Sequence, residues 1–351
     1  MTGLVEAPVS VRPSSAPARM RRRVLLLGAL AATALAALTV IALTQGQMPM
    51  EASVAVRALF GLGDQGDVFV VQEFRAPRIA AALIAGAGLG VAGSLLQRLF
   101  RNPLASPDVM GITGGASFGS VVLLAAGASA SLIPLGALGG GLLAALLLGV
   151  FAWRSGLTVT RLVLVGLAVQ AGLAAAVNLM VVRFPAELAG AALQWTTGSL
   201  YGRTWTEVGA AAVASAVALA AAFVLHRRLA VLDLGDESAG ALGINVSTAR
   251  LQLLVTAITL ASLAAALTGP VAFVALAVPH LVRFVAGPPT AATTALSCLA
   301  GAVLLLSSDL VVQHLLPVEG LPVGVVTATL GAPWLLVLMI RQSRPVNRSS
   351  V

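Results

Sequence analysis

The stretch 205–268 reads WTEVGAAAVASAVALAAAFVLHRRLAVLDLGDESAGALGINVSTARLQLLVTAITLASLAAALT. Two apolar blocks, 205–226 and 248–268, flank a polar link, 226–250, that is rich in Arg, Asp and Gly. Each block is close to the roughly 20 apolar residues a helix needs to cross the hydrocarbon core of a bilayer. A block, a short basic link and a second block describe two neighbouring membrane spans, and the fold class follows: all-α and polytopic. Outward from this pair, further blocks near 24–44, 76–99, 108–128, 132–153, 159–182, 270–286, 289–311 and 323–341 bring the expected spans to about ten. The block 270–286 is short and is interrupted by Pro279-His280, and a proline there frees a backbone carbonyl that neighbouring helices must satisfy.

Composition agrees. The 351 residues are 58% hydrophobic and 10% charged, with a mean hydropathy of +0.99. A soluble domain carries charge on about a quarter of its residues. The net charge of +8 raises the question of nucleic acid, but basic clusters on a polytopic protein mark cytoplasmic links, and no nucleic-acid partner is expected. All 21 basic residues are arginine. A phosphate-binding P-loop needs its lysine to reach the nucleotide, so any ATP that drives this chain is bound by another subunit. The lone cysteine, Cys298, sits inside an apolar block and reads as a packing residue.

Arginine placement tests the span count. With the N-terminus inside and ten crossings, 16 arginines fall on the inner side and five (Arg57, Arg75, Arg78, Arg183 and Arg203) on the outer. That asymmetry obeys the positive-inside rule and puts both termini in the cytoplasm. Residues 1–23, containing Pro, Ser and Arg, read as a disordered cytoplasmic tail, 24–342 as the membrane domain and 343–351 as a second tail. A signal peptide is the alternative for 24–44, but its apolar core is typically about 7–15 residues, shorter than this block.

Three places invite a functional reading. In the inner link 226–250, Asp236 is expected to cap a short helix and Gly243 to end it in the left-handed conformation, with Ala239 and Leu242 on one face. Such a helix suits a surface on which a cytoplasmic motor pushes; an ordinary polar loop is the other reading. At the outer side, Arg75-Ala76-Pro77-Arg78 opens a span with Pro in its first turn. Two arginines oppose the positive dipole end there, so an acidic partner, lipid headgroups or Glu73 must compensate them. The segment 101–115, with Pro103, Pro107, Asp108 and three glycines, forces an irregular entry into the span 108–128, which Asp108 is placed to cap. Gln97, Gln170, Asn178, His280 and Asp309 are the polar residues within spans. His280 and Asp309 need partners or water. No HExxH zinc motif and no set of deep carboxylates is present, which argues against a membrane enzyme or a proton-coupled carrier.

Six ordered blocks carry a resemblance: RAPR (75–78), AGSLLQRLFRNPLASPDVMGITGGA (92–116), WTTGSLYGRTW (195–205), LGDESAGALGIN (234–245), TGPVAFVALAVPHLVR (268–283) and LPVGVVTATLGAP (321–333). Together they resemble the FecCD/BtuC-type permeases of ABC importers for iron–siderophores, haem and cobalamin, from about residue 50 to 342. The resemblance implies the BtuC-like type II importer fold and the cytoplasmic membrane of a bacterium. It also implies a second permease subunit, two cytoplasmic ABC ATPases and an extracytoplasmic binding protein, with no cofactor in this chain. On it, Leu234, Gly235, Asp236, Glu237, Ala239, Leu242 and Gly243 match the ATPase-coupling helix. Arg75 and Arg78 match the arginines that meet glutamates of the binding protein, and Thr158 and Thr160 fall at the cytoplasmic gate. A ferric siderophore is the implied cargo, with haem or cobalamin as the alternative. An ion-coupled secondary transporter and a membrane scaffold are the readings from other classes. Two positions depart from the family pattern: Gln313, beside His314, stands where a further arginine is frequent, and Ala275 where glycine is usual.

Overall fold

A computed structural model of the chain describes residues 16–46, 48–153, 159–315 and 321–342, and every regular element among them is helical. In chain order these are α1 (Ala16–Thr44), α2 (Ala52–Leu59), α3 (Gln65–Phe69), α4 (Ala76–Leu99), α5 (Ile112–Ala125), α6 (Ile133–Trp153), α7 (Val159–Val182), α8 (Ala186–Thr197), α9 (Trp205–Leu232), α10 (Asp236–Ala241), α11 (Val246–Thr268), α12 (Val274–Ala286), α13 (Ala291–His314) and α14 (Val323–Gln342). Seven segments, Arg19–Thr44, Gln65–Leu99, Ala130–Phe151, Val163–Val182, Trp205–Leu232, Val246–Thr268 and Ala291–His314, are long and apolar enough to cross a membrane. Where the other three spans are expected, the structure has the shorter apolar segments Ile112–Ala125, Val274–Ala286 and Val323–Trp334. The chain is an all-helical, multi-pass membrane protein.

The bundle is organised on α4, most of whose residues are buried, while few residues of α1 and α7 are buried. Small residues make this possible, because in lipid the helices are drawn together by close packing rather than by expulsion of water. A Cβ placed on Gly86 would lie 2.4 Å from the Gly301 carbonyl oxygen of α13, and one on Gly90 would lie 2.1 Å from that of Ser297. The α5–α6 pair interlocks the same way, with Gly119 against the Gly136 oxygen and Gly140 against that of Gly115. Backbones therefore touch along these seams.

Pro279 sits inside α12, so the carbonyl of Ala275, a turn earlier, has no helical N–H to meet. The neighbouring helix answers. Gly93 of α4 lets its backbone lie directly over that carbonyl, where a Cβ would be 1.8 Å from the Ala275 oxygen. Gln97, a turn further along α4, donates to the adjacent Leu276 carbonyl at 3.0 Å. Alanine in place of the usual glycine at 275 is accommodated within this contact, its side chain buried.

The structure moves several expected boundaries. α1 begins by Ala16 rather than 24, so Arg19 and Arg21–Arg23 belong to a helix and not to the expected disordered tail. The span expected at 108–128 contains a helix only from Ile112 to Ala125. Its entry is irregular because Arg101 and Gly111 take left-handed φ values of 48° and 80°, and Pro103 and Pro107 bar a regular ladder. Asp108 does not cap α5, whose N-cap is Gly111 without a side-chain bond. Instead the N–H of Phe273 donates to Asp108 Oδ2 at 3.2 Å, so the carboxylate holds the residue that starts α12. α2, α3 and α8 were not foreseen. Neither was the π-helical turn Val70–Arg75, which joins α3 to α4 without a break.

Candidate functional site

Arg78 and Arg98 mark opposite ends of the molecule, since twenty residues of α4 separate them by about 30 Å along its axis. At the Arg98 end, α10 is a single short helix closed by a Schellman motif. Gly243, at φ 80°, donates to the Gly240 carbonyl and Ile244 to that of Ala239. Gly243 thus ends the helix as expected. Asp236 does not cap it: Gly235 (φ 107°) is the N-cap, and Asp236, the first helical residue, pairs with Arg250 Nη2 at 2.8 Å. The expected common face of Ala239 and Leu242 is also absent. Ala239 is fully buried, whereas Leu242 lies at the C-cap, where the chain leaves the helix, and is 63% exposed, as is Leu234. Leu234, Glu237 and Leu242 all face solvent. The arrangement is a small platform, anchored by one alanine and offering two leucines and a carboxylate.

Behind the platform lies a polar cluster that no sequence pattern announced, with Arg98 and His226 buried and Arg101 and Asp233 at its exposed edge. Arg98 of α4 donates from Nη2 to Asp233 Oδ2 at 2.6 Å and from Nη1 to His226 Nε2 at 3.0 Å. Arg101 donates to the carbonyls of Leu232 and Asp233 at 2.9 and 3.3 Å. Two arginines from the end of α4 therefore grip the C-terminus of α9, where the dipole is negative, immediately before α10.

At the Arg78 end, Arg78 grips Asp309 of α13 with both teeth of a fork: Nε to Oδ2 at 2.9 Å and Nη2 to Oδ1 at 2.8 Å. Asp309 is buried and Arg78 partly exposed. The compensation expected for Arg78 is thus internal, and so is the partner expected for Asp309. Gln313, standing where a further arginine is frequent in the resembling family, donates to the same carboxylate at 2.7 Å. Arg75 is compensated differently. It donates to the carbonyls of Leu43 and Met48, at and just beyond the end of α1, where carbonyls lack helical partners. Close by, Arg203 lies over the Trp195 ring at 4.7 Å and pairs with Glu207 at 3.5 Å. Burial lowers the Arg203 pKa and the Glu207 carboxylate raises it.

Between the two ends, a cavity of about 370 Å³ opens among α5, α7, α8 and α14. Asp108, Thr113, Ser117, Gln170, Thr196 and Thr197 are its polar wall. Gln170 Oε1 accepts from the Gly114 N–H at 3.0 Å, which partners one of the polar residues expected within spans. His280 stacks edge-on against Trp334, ring centres 6.4 Å apart. Thr158 lies outside the described residues, as does the side chain of Thr160, so the structure brings neither gate residue to a described site.

Comparison with known proteins gives one consistent answer. Residues 34–341 match the FecCD transport family. The chain is 40% identical over 324 residues to the ferric enterobactin transport system permease protein FepG of Escherichia coli K12, covering 92% of this chain and 98% of that protein. It is 36% identical over 328 residues to the Fe(3+)-citrate import system permease protein YfmE of Bacillus subtilis 168, covering 93% and 98%. Among solved structures, a metal-chelate type ABC transporter in an inward-facing conformation superposes with a TM-score of 0.79 at 27% identity, over 89% of this chain and 97% of that one.

Proposed function

The chain belongs to the FecCD transport family, and from that premise we propose that it is one of two permease subunits of an ATP-driven importer for a ferric siderophore or related metal chelate. Ten crossings, with the α10 end in the cytoplasm and both termini inside, fit the arginine asymmetry. The two helices shorter than a full span, α5 and α12, are read as crossings completed by irregular chain, which membrane proteins tolerate where it is buried in protein or lines a cavity. Two relatives with different named cargoes, ferric enterobactin and Fe(3+)-citrate, bracket the substrate class without naming the member; haem or cobalamin is the alternative.

The observation that carries the reading is α10: a capped helix presenting Leu234, Glu237 and Leu242, fixed to the bundle core by the Arg98–Asp233 pair. Cytoplasmic ATPases docking on this platform would move α9 and α4 together, because Arg98 and Arg101 join them. α7 is proposed to face the second subunit. Few of its residues are buried in this chain, yet it carries Asn178 outward, and a polar side chain in a span is better placed against protein than against lipid. At the far end, Arg75 and Arg78 are the proposed contacts for an extracytoplasmic binding protein. Among the described residues Arg78 bonds Asp309 through Nε and Nη2, and Nη1 is the atom proposed to meet a glutamate of the partner.

Purification from a host expressing the whole transport locus tests the assignment. A stoichiometric ATPase should accompany this chain, and proteoliposomes containing both should import chelate only with ATP and binding protein. Uptake by this chain alone, driven by a proton or sodium gradient, would favour the ion-coupled carrier.

A further inference from the structure

The cavity at Asp108 has an uneven chemistry. Among the described residues of its wall, Asp108 is the one ionisable group. Two of the hydroxyls around it have their protons committed elsewhere: Thr196 and Thr197 both donate to the Leu193 carbonyl, at 2.9 and 2.8 Å. What these groups leave facing the cavity are oxygen lone pairs. The Gln170 amide is turned by its bond to Gly114, and its NH2 and the Ser117 hydroxyl are neutral donors on the same wall. A volume of about 370 Å³ falls within the range of small-molecule sites. A carboxylate backed by acceptors in a low-dielectric setting attracts a positively charged donor and repels an anion. Asp108 also has a structural duty, receiving the Phe273 N–H, but that bond uses Oδ2 and needs no charge.

We propose that this cavity is a subsite for a positively charged hydrogen-bond donor, an alkylammonium or guanidinium group, carried on the molecule in transit. The proposal rests on the importer reading, since the cavity opens among α5, α7, α8 and α14, beside the face assigned to the second subunit. It predicts that a pendant amine on a chelate is sensed by the permease itself, in addition to any selection by the binding protein.

The test needs no transport. In the complete complex in lipid nanodiscs, with Cys298→Ser removing the native thiol, Thr197→Cys places a thiol on the wall. Its modification by a cationic trimethylammonium thiosulfonate and by an anionic sulfonate analogue is timed with Asp108 and with Asp108→Asn, which keeps an acceptor for Phe273. The cationic-to-anionic rate ratio should fall at least tenfold in the Asn variant. A ferric trihydroxamate bearing a free alkylammonium should slow labelling at least threefold more than its N-acetylated form. A ratio unchanged by Asp108→Asn, equal protection by the two chelates or by neither, or a thiol unreactive in both nucleotide-free and ATP-bound complexes would each overturn the proposal. Failure of the importer reading is separate: it would appear as absent ATP-dependent uptake while the labelling ratio stayed as expected.

Discussion

Asp309 is the residue whose environment most constrains the Arg78 end of the molecule. It is buried, bound by both Arg78 and Gln313, and removing one member of a buried ion pair leaves the other charge uncompensated, at a cost of about 3–5 kcal/mol. Because Arg78 retains some exposure, Asp309→Ala is expected to destabilise the protein by about 3 kcal/mol. The paired replacement Arg78→Met with Asp309→Leu should cost less than either single change, measured by thermal unfolding in detergent. The need for a partner at Asp309 was legible from its place within a span; that the partner is Arg78 was not, because 231 residues separate them and nothing local encodes that pairing. The same pairing bears on docking. Charge reversal at Arg78 would set a second carboxylate beside Asp309, so Arg75→Gln is the cleaner probe. It should weaken binding-protein affinity, most visibly at low ionic strength where screening is slight, and unaltered affinity would remove Arg75 from the docking surface.

At the scale of elements, α10 and α4 carry the mechanical argument. Gly243 has φ 80° with open space around it, so Gly243→Val meets no neighbour but strains the backbone by about 1–2 kcal/mol. The expected outcome is preserved insertion and ATPase binding with a several-fold loss of transport per ATP hydrolysed; unchanged coupling would dissociate α10 from that role. Gly90→Leu is different in kind. It would drive α4 and α13 apart at a backbone contact, and overpacking of this sort costs about 1–3 kcal/mol or more, so folded yield should fall sharply. The short helix after Gly235 was readable from its glycines and acids. Its cap and facing were misassigned because Arg250, brought close only by the turn, draws the Asp236 carboxylate sideways. α2 and α8 escaped notice because each is too short for a span, at 8 and 12 residues. The Arg98–His226–Asp233 cluster escaped because it assembles from two distant helices.

For the whole molecule, sidedness is the governing quantity. Single cysteines at Leu242 and at Arg57, in a Cys298→Ser background, should be labelled by an impermeant reagent from opposite sides of inside-out and right-side-out vesicles. Labelling of both from one side would undo the ten-crossing arrangement and the coupling scheme with it. The membrane class and most spans were visible in the sequence because apolar length is a one-dimensional property. The cavity at Asp108 was not, since it forms where a broken entry segment, the loop at Pro270 and Ala272 and the ends of α8 and α14 meet.

The π-helical turn at Val70–Arg75 has a consequence for how such chains tolerate change. A turn of this kind houses one more residue than the α-helical ladder can pair, so it is a place where an extra amino acid has been absorbed without breaking the rod. That surplus sets the azimuth of everything upstream: Gln72 reaches the Leu59 carbonyl, and Trp205 reaches the carbonyl of Gln72. Excising a single codon there would let the rod rewind into plain α-helix and turn α2 and α3 by about 100° about the α4 axis, pulling Gln72 away from both Leu59 and Trp205.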